Sequence, residues 1–358
     1  MKKIRVALLF GGKSTEHEVS LRSAKNVIDA LDPEQFEPVL IGIDKQGVWH
    51  QSEPVKVITA PTLQQLTTGT PSSTALSTLP TQPLQGIDVV FPILHGPLGE
   101  DGTVQGLLRL AGIPFVGADV LGSAIGMDKD VMKRLLRDAG IPIAPFLVFR
   151  SHQQVTIDFD QVKKELGLPL FIKPANAGSS VGVSKATTER QFNEALHKAF
   201  LYDEKILIES GIIGDEIECA VLGNNHPQAS LPGKIIPHAD FYSYEAKYTM
   251  EDGAAMEIPA KLSPEIIEKI QAMAIKTFQV LECMGMGRID MFLTPDGEIL
   301  VNEINTIPGF TSKSMYPKLW EASGVSYSEL ITKLLKLALE RFANQQQLTS
   351  SYKENSLQ

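Results

Sequence analysis

The chain has 358 residues, 43% of them hydrophobic and 21% charged, so most of it can fold, and two or three domains are expected rather than one core. Lys and Arg number 33 against 42 Asp and Glu, a net charge of −9. That balance argues against sequence-independent nucleic-acid binding and leaves room only for a local basic pocket.

The opening MKKIRVALLF is superficially like a signal peptide, but its apolar run is short, ends in Gly11-Gly12 and leads into a charged helix pattern. No apolar run is long enough to span a bilayer. The two cysteines, Cys219 and Cys283, lie in apolar surroundings, which excludes a disulfide scaffold or a Cys-based zinc site and fits a reducing compartment. The expectation is a soluble cytoplasmic protein without nucleic-acid or membrane partners.

In chain order, residues 4–10 read as a buried strand, 19–31 as a helix and Phe36–Ile43 as a second strand, with Lys45-Gln46-Gly47 as a turn. This βαβ opening implies a parallel sheet. Residues 54–85, rich in Thr, Ser, Pro and Gln, read as a surface insertion. The sheet resumes over 87–94, followed by a Gly-rich loop (95–102) and a helix over 104–111. An amphipathic helix is expected over 127–139, a strand over 169–173, a helix over Glu189–Phe200 and a strand over 205–209. Helices follow over 264–281 and 326–342, and the polar tail after Ala343 is expected to be disordered. The expected domains are 1–125, 126–213 and 214–343, with a tail over 344–358.

Residues 287–305, GRIDMFLTPDGEILVNEIN, read as two strands joined at Asp296-Gly297, a strong hairpin signal. Taking Asp296-Gly297 as a two-residue loop puts Asp290 opposite Glu303 and Arg288 opposite Asn305. All four, with Phe292, then share one strand face. Clustered hard oxygen ligands without His or Cys suit Mg2+ held together with nucleotide phosphates. Two carboxylates opposed across a ladder also call for a cation between them.

Other motifs are compatible with this chemistry. FIKPANAGSSVGVSK places Lys173 at a strand end, then a loop with Gly178, Ser179, Ser180 and Gly182. Backbone N–H groups of such a loop can form an anion-binding concavity, although alone the segment reads equally as a flexible turn. Lys129, in GMDKDVMK, is a second phosphate candidate; a lone helical Lys is usually solvated. Glu16, in GGKSTEHEVS after the first strand, could receive a substrate ammonium or could simply complement a helix start. His95, in LHGPLGEDG, could contact substrate or serve structure. FYSYEAKYTM is an aromatic, polar loop. NTIPGFTSKSMYP follows the proposed metal strand and offers Gly309, Ser314 and backbone N–H groups for a carboxylate or oxyanion. The GxGxxG dinucleotide fingerprint is absent, which counts against an NAD oxidoreductase.

Together GGKSTEHEVS, LHGPLGEDG, GSSVG, YSYEAKY, GRID and NEINTIPGFTSKSMYP strongly resemble the D-alanine–D-alanine ligase family of the ATP-grasp superfamily, in order and over residues 1 to about 340. The resemblance implies an α/β chain, α+β in its ATP-binding part, with a three-domain ATP-grasp fold and an N-terminal doubly wound parallel sheet. It implies an ATP-dependent, ADP-forming ligase of peptidoglycan precursor synthesis that joins two D-alanines through an acyl phosphate. Asp290, Glu303 and Asn305 would hold two Mg2+, with Mn2+ as a plausible substitute. Lys129, Lys173, Lys247 and Ser180 would attend the ATP phosphates, and Glu209 and Ile212 the adenine. Glu216 would take the ribose, and Phe241 and Phe292 would sandwich the base. Glu16 and His95 would bind the first D-alanine, and Ser314 and Met315 the carboxylate of the second. Arg288 and the Gly309 N–H would stabilise the oxyanion, while Ser179, Tyr248 and Glu16 would link lid and loops. The family is often dimeric, and only that analogy, not the sequence itself, points to a homodimer.

The departures are small. Ser210 replaces a Lys found beside the hinge carboxylate in some members, and Ala177 replaces a Glu. Tyr248 favours dipeptide formation over the use of D-lactate or D-serine, which is the runner-up reading. A non-catalytic nucleotide-binding regulator is opposed by retention of the acidic residues, Arg288 and the lid serines.

Overall fold

The computed structural model describes residues 2–51, 63–64, 74–75, 84–237 and 254–348. The chain begins with β1 (Ile4–Gly11), α1 (His17–Ala30), β2 (Phe36–Ile43), β3 (Trp49–Gln51), β4 (Thr74–Ala75), β5 (Val89–Ile93) and α2 (Thr103–Leu110). Its sheet runs β4-β3-β2-β1-β5; β2, β1 and β5 are parallel, and β3 and β4 add an antiparallel edge. β1 is nearly continuous in apolar residues because both faces are covered. Val6, Leu8 and Phe10 face one core, and Ala7 and Leu9 face another, which Val104 and Leu108 of α2 complete. The doubly wound expectation thus holds, with the antiparallel edge added.

Two helices follow, α3 (Val120–Met127) and α4 (Lys129–Asp138), where the sequence suggested one helix over 127–139. Asp128 is the reason. Its backbone is extended (φ −85°, ψ 98°) and its carboxylate accepts the N–H groups of Asp130 and Val131, so it ends one helix and caps the next. α3 also lies close to its neighbours: a side chain at Gly122 would meet the Glu282 carbonyl at 2.6 Å.

The next unit contains β6 (Phe146–Arg150), α5 (Phe159–Leu166), β7 (Leu170–Pro174), β8 (Ser184–Ala186), α6 (Glu189–Phe200) and β9 (Lys205–Ser210). Its antiparallel sheet runs β6-β9-β7-β8 over a separate core that includes Val162, Ile172, Phe192 and Ile208. Thr188 caps α6 through the Gln191 N–H, which fits its expected start.

The last unit contains β10 (Asp215–Gly223), β11 (Gln228–Ala229), β12 (Gly233–Pro237), β13 (Ala254–Glu257), α7 (Pro264–Val280), β14 (Gly285–Leu293), β15 (Ile299–Asn305), α8 (Met315–Ala322) and α9 (Tyr327–Gln346). Its antiparallel sheet runs β13-β12-β10-β14-β15, with β11 beside β10. α7 begins on a Ser263 cap with Pro264 in the first turn, where a missing N–H costs nothing.

Two apolar cores join segments that are distant in the chain. One core joins Val6, Leu8 and Phe10 of β1 to Leu222, Phe310, Tyr316 and Leu334 near the C-terminus. A second joins Met132 and Leu136 of α4 to Ile217, Phe278 and Ile289, so α4 packs with the C-terminal sheet. The tail expected from residue 344 also needs correction, because α9 continues to Gln346. Gln345 Nε2 donates to Asp119 Oδ2 at 3.0 Å, and buried Arg341 donates to the Gly117 and Phe115 carbonyls, which anchors that last turn. Among the described residues, no helix is long and apolar enough to cross a membrane.

Candidate active site

The β14–β15 hairpin delivers the predicted pairs by a different route. Its loop has three residues, not two: the Thr294 N–H donates to the Glu298 carbonyl at 2.9 Å, the Gly297 N–H donates to Thr294 at 3.0 Å, and Gly297 has φ +87°. Leu293 then pairs with Ile299, Phe292 with Leu300 and Met291 with Val301. A β-bulge interrupts the ladder there, and Asp290 pairs with Glu303 and Arg288 with Asn305. Pro295 adds one residue to the β14 side and Asn302 adds one to the β15 side, so the two errors in the simple count cancel. The bulge also brings Asn302 to the cleft beside Glu303, which strict alternation forbids.

β10 lies on the other side of β14 and puts Glu218 opposite Asp290. Three carboxylates, Glu218, Asp290 and Glu303, therefore form a row across three strands. Arg288 offsets much of that charge. Its guanidinium donates to Asp290 twice at 2.7 Å and lies 2.8 Å from Glu218 Oε2. Burial alone would lower the Arg288 pKa, but Asp290 and Glu218 outweigh it and hold it well above the ordinary value. Asn305 Nδ2 donates to Asp290 at 3.0 Å, and Lys129 Nζ lies 3.5 Å from Glu303. Among the described residues, no three His, Cys, Asp or Glu side chains are gathered closely enough to hold a metal ion. The donor set is nonetheless all oxygen, the type a hard divalent cation takes.

The opposite wall comes from the β6–β9 sheet and α4. Lys129 is buried, contrary to the usual solvated helical Lys, and donates to the Ala177 carbonyl at 2.8 Å. Lys173 Nζ lies 2.8 Å from Glu209 Oε2 and 3.3 Å from Asn302 Oδ1. Lys133 Nζ lies 3.4 Å from the other Glu209 oxygen. Burial raises the Glu209 pKa, but the two lysines more than offset this and keep its carboxyl below the ordinary value. Burial likewise depresses Lys133, with Glu209 opposing.

The loop that leaves β7 holds Ser179 and Ser180, both left-handed, at φ +50° and +59°. In that conformation the Ser179 hydroxyl donates to Glu16 Oε1 at the start of α1. His95 is buried, its Nδ1 3.1 Å from the Ile307 carbonyl and its Nε2 without a partner among the described residues. Glu100 accepts the Gly96 N–H at 2.6 Å and the Ile307 N–H at 3.4 Å. Burial and the nearby Glu16 push its pKa up to about 8. Beyond β15, a side chain at Gly309 would meet Ser314 Oγ at 2.8 Å, so the Ser314 hydroxyl sits directly against that glycine. Ser314 accepts the Thr311 N–H at 3.0 Å and precedes Met315, the buried first residue of α8.

A cleft of about 290 Å³ lies between the two sheets. Lys129, Lys173, Ser180, Glu209, Ile212, Glu216, Asp290, Phe292 and Glu303 all line it. Arg288 and Asn305 join it through Asp290, and Glu16 joins it through Ser179, the neighbour of Ser180. His95, Gly309, Ser314 and Met315 belong to the adjoining loops. Phe241, Lys247 and Tyr248 lie outside the described residues. Sequence reading missed Phe171, Asn302, Glu218, Glu100 and Lys133. Glu218 had a faint signal, two residues from Glu216 on the same strand face; Lys133 had one too, one helical turn from Lys129.

Two antiparallel sheets closing on a cleft of lysines and carboxylates define the ATP-grasp class, a fold that implies the use of ATP and a divalent metal. Residues 5–118 match the family model "D-ala D-ala ligase N-terminus", and residues 135–336 match "D-ala D-ala ligase C-terminus". The chain is 55% identical to D-alanine--D-alanine ligase A of Escherichia coli over 355 residues, 96% of this chain and 98% of that one. It superimposes on the D-alanine-D-alanine ligase from Coxiella burnetii with TM-score 0.85, 39% identity and 97% coverage of both chains. The VanG D-Ala:D-Ser ligase from Enterococcus faecalis gives 0.84 at 36% identity, over 94% of this chain and all of that one. The chain belongs to the D-alanine–D-alanine ligase family.

Proposed function

We propose that this chain joins two D-alanines into D-alanyl-D-alanine, splitting ATP to ADP and phosphate, as a cytoplasmic step in making peptidoglycan precursors. The observation that carries this reading is the single cleft that gathers Lys129, Lys173, Asp290 and Glu303 beside the Ser179–Glu16 link. Similarity to ligases of that activity over nearly the whole chain supports it.

In this reading ATP occupies the cleft, with adenine at Ile212, Phe292 and Glu209, ribose at Glu216, and phosphates at Lys129, Lys173 and Ser180. The first D-alanine places its ammonium on Glu16 near His95. Its carboxylate attacks the γ-phosphorus; the bond to the bridging oxygen breaks, ADP departs and an acyl phosphate remains. The second D-alanine rests its carboxylate on Ser314 and the Met315 N–H. Its neutral amine attacks the acyl carbon, and the oxyanion forms against Arg288 and the Gly309 N–H. On collapse of that tetrahedral species the C–O bond to phosphate breaks, the attacking nitrogen loses a proton that leaves with the phosphate as hydrogen phosphate, and the amide remains. Lid closure over Ser179 and Ser180 keeps water from the acyl phosphate. Asp290, Glu303 and Asn305 would hold two Mg2+, or Mn2+ in their place, neutralising the phosphate oxygens. Phe241, Lys247 and Tyr248 keep their expected roles at base, phosphate and lid.

Phosphate release with ATP and D-alanine alone tests the reading, followed by addition of D-serine or D-lactate. Release with D-alanine alone, with D-alanyl-D-alanine recovered, is the expected result. Silence until D-serine or D-lactate is added would overturn it.

A further inference from the structure

Lys133 has no role in the reaction above, yet it is the most deeply buried cation among the described residues, with no exposed surface. It lies one turn after Lys129 on α4 and does not line the cleft, whereas Lys173 and Glu209 do. The Glu209 carboxylate is thus shared by two lysines of different kinds. Oε2 faces Lys173 at 2.8 Å on the cleft wall, and Oε1 faces Lys133 at 3.4 Å beneath it.

Lys173 is the lysine expected to meet nucleotide phosphate, and in this structure it is engaged with Glu209 and Asn302. To reach a phosphate it must give up some of that contact. If Lys173 were the only partner, its departure would leave a buried carboxylate unpaired, which is strongly unfavourable. Lys133, fixed in the core, removes that obstacle. We propose that Lys133 is a positioning residue for ATP: it remains the counter-ion of Glu209 so that Lys173 can be handed to the phosphates. This inference rests on ATP occupying the cleft.

Calorimetric titration of wild-type protein with Mg-ATP comes first, because failure to bind there would overturn the functional reading itself. In Lys133→Met, which keeps length and loses charge, ATP affinity falls about tenfold or more and the KM for ATP rises in parallel. The KM for D-alanine stays within about twofold. In a Glu209→Gln background the same substitution changes ATP affinity by less than about twofold, since no carboxylate remains to be compensated. A merely structural lysine would lower the melting temperature in both backgrounds without this ATP-specific pattern. Unchanged ATP affinity in Lys133→Met, or an equal loss in both backgrounds, would overturn the proposal. Should Lys133→Met fail to fold, Lys133→Gln, which retains a donor without charge, carries the same comparison.

Discussion

Arg288 is needed by the charge around it before any substrate arrives. It lies between Asp290 and Glu218, and each of these side chains is less than one-fifth exposed. A residue expected to stabilise a transient oxyanion therefore also holds a permanent row of carboxylates in place. Arg288→Ala should lower kcat by about 10²–10³, the usual cost of losing one oxyanion donor. It should also cost about 3 kcal/mol of stability, because both carboxylates lose their nearest cation. Steady-state kinetics and thermal melts measure the two losses separately, and calorimetry should show ATP still binding. Loss of ATP binding equal to the loss of turnover would contradict the oxyanion role. Arg288 was legible in the sequence from its place in the hairpin; Glu218 had only a faint local signal beside Glu216, because its strand partner is distant in the chain.

Among the elements, the hairpin shows how a correct pairing can arise from an incorrect turn. The Asp-Gly signal located the turn, but the loop length and the bulge at Asn302 were both invisible, since each depends on how β15 packs. Deleting Asn302 should remove the bulge yet keep Glu303 opposite Asp290 and Ile304 in the core, because the extra residue has no cross-strand partner and regular alternation is restored without it. That variant is expected to remain soluble and to bind ATP, and loss of either would show that the bulge itself is needed. Asn302→Ala keeps the residue count and should remain soluble, losing about 1 kcal/mol with its hydrogen bond to Lys173. Soluble expression and ATP titration of the two variants provide the check. The split between α3 and α4 has the same logic: Asp128 is one polar residue in a helical pattern until its side chain caps α4.

Over the whole molecule, two apolar cores bind the N- and C-terminal parts into one body, while the β6–β9 unit carries its own core. An ion cluster ties that unit to α4. Lys205 Nζ lies 2.6 Å from Asp128 and 3.1 Å from Asp130, and Arg134 also holds Asp130. Burial would raise the Asp130 pKa, but hydrogen bonds from Lys205 and Arg134 outweigh it and lower the value. A depressed carboxyl contributes stability that is fully present above its unfolded value and lost as pH falls through its folded one. Thermal melts should therefore fall as pH drops below about 4. Asp130→Asn should be less stable at neutral pH and lack that part of the acid dependence. An acid profile identical to that of wild type would show that the cluster does not link these units.

The parallel opening, most helices and strands, the turn at Asp296-Gly297 and the placement of Asp290 opposite Glu303 were readable from the order of amino acids alone. Periodicity, caps and turn chemistry act over a few neighbours, so local sequence suffices for them. Long-range packing was required to bring Glu218 into the carboxylate row, to restore the register with a bulge, to bury Lys133 beneath Glu209 and to extend α9 to Gln346. Each depends on contacts between distant segments, where burial makes an unpaired charge costly and packing selects its partner.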